Sequence, residues 1–227
     1  PGDDIRRVDW KLYARTDRYY LKEYEADTNA NFSVILDISR SMDFASRGIS
    51  KLEYGKYLGA CLAYFAQKQR DRIGCVTFDI DIVRHISPSA KHLDRVLHTL
   101  DRAKPERKGD LKVPMQKMGE HFGRRGILVL ISDWYESPEV IMDAVKPLRF
   151  RGNDFIVFHV LDPAEIDFNF TEAASFQDLE TGEQIPVVPT ALAAQYKSLV
   201  QEHIATLTSG FPQNRLDYTL VNTATPL

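Results

Sequence analysis

The strongest constraint on this chain is an alternation. Short apolar runs, each too brief for a helix, are separated by stretches patterned as amphipathic helices. The runs are Phe32-Ser-Val-Ile-Leu-Asp37, Ile73-Gly-Cys-Val-Thr-Phe78, Ile127-Leu-Val-Leu-Ile131 and Phe155-Ile-Val-Phe-His-Val160. Near-continuous apolar character over so short a span fits strands buried on both faces. Between them, Tyr54, Leu58, Cys61, Leu62 and Phe65 fall at i, i+4, i+7, i+8 and i+11, which predicts one buried helix face. Leu93, Val96, Leu97 and Leu100 mark a second helix, and Leu111, Met115, Met118 and Phe122 a third. Ser137-Pro138 reads as an N-cap followed by proline at the first helical position, with Ile141, Ala144, Val145 and Leu148 continuing that helix. A short edge strand through Ile82 and Val83, a hairpin over 176–187 turning at Thr181-Gly182, a helix over 192–207 and a strand over 216–221 complete the pattern. The alternation predicts an α/β, Rossmann-like fold: a mostly parallel sheet with helices on both faces. Ligands of such sheets bind beyond the carboxyl ends of the strands.

The first thirty residues are different. Asp3, Asp4, Arg6, Arg7, Asp9, Lys11 and Arg15 interleave with Ile5, Val8, Trp10 and Leu12. The spacing predicts a short helix capped by Asp3 or Asp4, followed by a half-buried strand over Tyr20-Leu-Lys-Glu-Tyr24. Trp10 amid the charges points to a segment that packs on the core more than one that faces a partner.

Composition closes several function classes. The chain has 227 residues, enough for one large domain or two small ones, and its 27% charged and 11% aromatic content excludes intrinsic disorder. A net charge of −3 argues against a general nucleic-acid binder. No apolar run approaches the roughly 20 residues of a membrane-spanning helix, so this stretch reads as soluble. Cys61 and Cys75 lie inside apolar patterns and read as buried free thiols, pointing to a reducing compartment, the cytoplasm. The chain opens at Pro1 without an initiator Met or signal peptide, so it reads as an excised fragment, with a membrane anchor upstream left open.

Two strand ends carry carboxylates: Asp37, in Asp37-Ile-Ser39-Arg-Ser41-Met42, and Asp133, in Ile131-Ser-Asp133. In Asp-x-Ser-x-Ser, alternate positions turn toward one centre as strand gives way to loop. One carboxylate and two hydroxyls are hard oxygen ligands of the kind Mg²⁺ takes, and Asp133 on a neighbouring strand adds a second carboxylate. The plainer alternative has Ser39 and Ser41 capping the next helix and Asp133 starting a turn. His85, His92 and His98 fit no ligand spacing on one helix face, and no nucleophile elbow or phosphate-cradling loop is present. A phosphatase of the haloacid-dehalogenase type needs a second Asp two residues after its nucleophile, where Ser39 stands.

The Asp37–Met42 stretch resembles the metal-ion-dependent adhesion site of von Willebrand factor A domains, and Asp133 matches the later Asp of that site. Pro1-Gly-Asp-Asp-Ile-Arg-Arg-Val-Asp-Trp10, Ala14-Arg15 and Tyr24-Glu25 together resemble the bacterial "domain of unknown function 58" family. The resemblance implies a von Willebrand factor A-like domain over 32–227, cut at both ends, with residues 1–31 packing on it as a family motif segment. It also implies a non-catalytic protein-interaction module working with a MoxR-type AAA+ ATPase. Mg²⁺ would be held by Asp37, Ser39, Ser41 and Asp133, with a partner's acidic residue filling an open position. One departure stands out: a complete site has a Thr in the loop that here reads Arg107-Lys-Gly-Asp110-Leu111. Asp110 either supplies a substitute metal ligand or caps the helix beginning at Leu111, and its N-cap preference favours the cap. Two further readings stay open: a metal-dependent hydrolase or phosphatase with Asp37 as nucleophile, and a scaffold that binds no metal.

Overall fold

Each apolar run becomes a strand in the computed structural model, which describes residues 29–122, 125–149, 152–168, 174–177, 184–187 and 189–227. The strands are β1 (Asn31–Asp37), β2 (Arg72–Phe78), β3 (Ile82–Ser89), β4 (Gly126–Ser132), β5 (Asp154–Leu161), β6 (Ala174–Gln177), β7 (Gln184–Val187) and β8 (Asp217–Asn222). The helices are α1 (Lys51–Lys68), α2 (Leu93–Asp101), α3 (Lys112–His121), α4 (Pro138–Arg149), α5 (Pro163–Asp167) and α6 (Pro189–Gln213). A 3-10 turn, Arg40–Asp43, follows β1.

Six strands form one sheet in the order β3-β2-β1-β4-β5-β8, parallel throughout except for the antiparallel edge strand β3. The alternation of side chains along β1 sends Val34 and Leu36 to the layer under α1 and α2. Ile35 points to the opposite layer, which Met115, Ile141 and Leu207 of α3, α4 and α6 cover. Helices on both faces are therefore a direct result of strands buried on both faces. The sequence order reverses between β1 and β4, and this switch point opens a crevice at their carboxyl ends.

The buried face of α1 differs from the expected stripe. Cys61 is exposed and Phe65 is 64% exposed, whereas Leu52, Gly55, Leu58, Gly59, Ala63 and Ala66 face the sheet. The reason is close approach. A Cβ at Gly55 would lie 2.9 Å from Leu36 Cδ1, and one at Gly59 2.9 Å from Val34 Cγ1. Of the expected stripe, Tyr54 and Leu58 are buried, but the close contact with the sheet is made by Gly55 and Gly59, which turns Cys61 and Phe65 outward. Cys75 is buried, and burial pushes its thiol up to about 12.

Helix α6 runs beyond 207 because Phe211, four residues after Leu207, continues the buried stripe. The strands of the expected hairpin, β6 and β7, pair antiparallel, while its turn at 181–182 lies outside the described residues. So do the N-terminal helix, the strand over 20–24 and Trp10. The 3-10 turn and the short α5 were not foreseen.

Candidate functional site

Asp37 is the last residue of β1, and Asp133 directly follows β4, the neighbouring parallel strand. Asp37 is almost fully buried, with both oxygens engaged. Oδ1 accepts the Ser39 backbone N–H at 2.8 Å and Oδ2 accepts the Ser132 hydroxyl at 2.7 Å. Burial first, and then the nearby Asp133 charge, push the Asp37 carboxyl up to about 7, against the pull of those hydrogen bonds.

Ser39 Oγ and Ser41 Oγ lie 3.0 Å apart. Ser39 occupies the N-cap position of the 3-10 turn but makes no capping bond with its side chain. Helix α1 is instead capped by Ser50, whose hydroxyl accepts the Glu53 N–H at 3.1 Å. The Ser39 side chain is therefore not a cap of the 3-10 turn, and the cap of α1 is Ser50, not Ser39 or Ser41. Asp37, Ser39, Ser41, Asp110 and Asp133 all line one cavity of about 610 Å³ at the carboxyl edge of the sheet. Asp110 reaches it from a loop fixed at several points. Its N–H donates to Asp79 O, and its Oδ1 accepts the Val113 N–H at 3.1 Å, a helix-capping bond.

Lys51 and Glu165 escaped the sequence analysis. Lys51 is the first residue of α1 and has no exposed side-chain surface. Its Nζ donates to Asp133 Oδ2 at 2.9 Å and to Glu165 Oε1 at 2.7 Å, with the Tyr135 ring centroid 4.5 Å away. Burial acts to lower the Lys51 pKa, but the two carboxylates outweigh it and hold the ammonium above its ordinary value. Glu165 also accepts the Asp162 N–H, closing a capping box at the start of α5, and Asp162 in turn accepts the backbone N–H and hydroxyl of Ser46. The signal was available locally: Asp162-Pro163-Ala164-Glu165 is a D-x-x-E pattern with proline at the first position.

Trp134, next to Asp133, has φ +53°, a left-handed conformation that bulky residues rarely adopt. Its buried ring meets Phe211 edge-on at 5.5 Å, its Nε1–H donates to Phe158 O at 3.1 Å, and its carbonyl meets His203 Nε2 at 2.8 Å. These contacts hold the turn that sets Asp133 in place.

The model of a family described as "Protein of unknown function DUF58" matches residues 1–206. The chain belongs to the DUF58 family. Among curated relatives, the uncharacterized protein Rv1480 of Mycobacterium tuberculosis is 26% identical over 189 residues, 80% of this chain. The chain spans 58% of that relative's length. An aerotolerance-related membrane protein from Bacteroides fragilis has the same fold, with a TM-score of 0.58 and 19% identity over 86% of this chain and 92% of that one. The conserved hypothetical protein BatB from Bacteroides thetaiotaomicron gives 0.54 and 16% over 85% and 90%. The DUF58 domain is an α/β domain with a mostly parallel six-stranded sheet covered by helices on both faces. Among its described residues no helix is long and apolar enough to cross a membrane.

The donor set of this DUF58 domain fits a hard cation in part. Two adjacent hydroxyls and two carboxylates converge, but Asp37 already accepts two protein hydrogen bonds and Asp133 already holds an ammonium. Among the described residues, no three His, Cys, Asp or Glu side chains gather as a ligand group.

Proposed function

We propose that this domain is a non-catalytic protein-interaction module whose docking point is the cavity at the carboxyl ends of β1 and β4. The observation that carries the reading is the pairing of the Ser39 and Ser41 hydroxyls, 3.0 Å apart, in one cavity with the Asp37 and Asp133 carboxylates. Mg²⁺ would be held there by Asp37, Ser39, Ser41 and Asp133, and would offer a partner's carboxylate a positive charge to bind. Asp110 stays with helix α3 as its cap. A MoxR-type AAA+ ATPase is the proposed partner, as the family resemblance implies.

The non-catalytic reading is supported by the residue that stands two positions after Asp37. A phosphatase of the haloacid-dehalogenase type needs a second Asp two residues after its nucleophile, and Ser39 stands at that position after Asp37. The expected behaviour is simple to test. Millimolar Mg²⁺ or Mn²⁺ should raise the melting temperature and strengthen capture of the ATPase, and Ser39→Ala with Ser41→Ala should remove both effects. Turnover of p-nitrophenyl phosphate in Mg²⁺ would overturn the non-catalytic reading. Capture that is equal in EDTA and in Mg²⁺ would overturn the cation dependence.

A further inference from the structure

Lys51 stands where an ammonium is hardest to place. It is fully buried, which disfavours the charged form. It is also the first residue of an 18-residue helix, whose positive dipole end repels cations. What holds it is the pair of carboxylates at 2.9 and 2.7 Å and the faces of two rings, Tyr135 at 4.5 Å and Phe44 at 6.0 Å. One of those carboxylates, Asp133, is also the second acidic ligand of the proposed cation site.

We propose that Lys51 is the resident cation of this site, and that a divalent cation must compete with it for the charge of Asp133. The inference rests on the cation reading for the choice of Asp133, but it makes a separate claim about competition. The ammonium already supplies the positive charge that the two buried carboxylates, Asp133 and Glu165, require. A divalent ion sharing Asp133 would be repelled by Lys51 for as long as that pair stays closed. Lys51 thus sets the metal affinity without being a ligand. It also couples the site to α1 and α5, because breaking the Lys51–Asp133 pair leaves the ammonium to Glu165 alone.

The test is a Mn²⁺ titration of the intact protein, followed by the electron paramagnetic resonance of free Mn²⁺, on wild type, Lys51→Met and Lys51→Arg. Lys51→Met should bind Mn²⁺ more tightly than wild type by on the order of tenfold or more. Lys51→Arg, which keeps the charge, should stay near wild type. If wild type binds nothing up to about 10 mM while Lys51→Met binds, the cation reading of the native protein falls and the competition stands. Equal affinity in wild type and Lys51→Met would leave the cation reading intact and overturn the role of Lys51. Binding in neither would overturn both. Should Lys51→Met be unfolded in EDTA, circular dichroism replaces the titration. Recovery of the helical signal on adding Mn²⁺ supports the proposal, and no recovery overturns it.

Discussion

Asp37 sits further from the surroundings of a solvated carboxylate than any ligand candidate except its neighbour Asp133. Its carboxyl is raised from 3.8 to about 7, so the folded state binds this proton more tightly than the unfolded state does. The stabilisation it contributes is therefore complete below pH 3.8 and is lost as pH rises through about 7. In the absence of divalent cations, urea unfolding between pH 4 and 8 should show this loss in wild type. Asp37→Asn should flatten it, with the variant gaining relative to wild type by as much as about 4 kcal/mol at pH 8. An unchanged slope in Asp37→Asn would assign the loss to another group. Asp110 gives a second test at this scale. Asp110→Ala removes the bond to the Val113 N–H and should cost about 1 kcal/mol, as the loss of a helix cap does, with Mn²⁺ affinity unmoved. Lost Mn²⁺ binding with an unchanged melting temperature would make Asp110 a ligand.

Helix α1 carries the site at one end and lies against the sheet along its length through Gly55 and Gly59. Alanine is the better helix former by up to about 1 kcal/mol, so propensity alone predicts that Gly59→Ala stabilises. Packing predicts the opposite, because the new Cβ would sit 2.9 Å from Val34 Cγ1. Overpacking of this kind costs about 1–3 kcal/mol and wins. Gly59→Ala should lower the melting temperature, and adding Val34→Ala should return part of the loss. Two additive losses in a double-mutant cycle would show that the two side chains do not meet.

The whole molecule is organised around a sheet whose central strand β1 feeds both hydrophobic layers, Val34 and Leu36 to one and Ile35 to the other. Neither layer can be lost without the strand that the other also needs. Unfolding should accordingly be one cooperative transition, with near-ultraviolet and far-ultraviolet circular dichroism melting together. Val34→Ala and Ile35→Ala, on opposite faces, should each shift that transition without splitting it, Ile35→Ala by about 2–5 kcal/mol. A split transition in either variant would mean that the layers fold independently.

What is encoded within a few residues could be read along the chain. The strands β1, β2, β4 and β5 were legible because their apolar runs need no distant partner to declare them. Asp37 and Asp133 were legible as strand-end carboxylates for the same reason, and Asp110 as a cap. Tertiary structure decided everything that depends on which strand lies beside which. It turned the glycine face of α1 inward and left Cys61 and Phe65 outside, since the sheet's close approach overrides hydrophobic spacing. It also brought Lys51 to Asp133, 82 residues away, and to Glu165, 114 residues away. A buried lysine has no local signature, because its stability comes from carboxylates that only the sheet order places beside it.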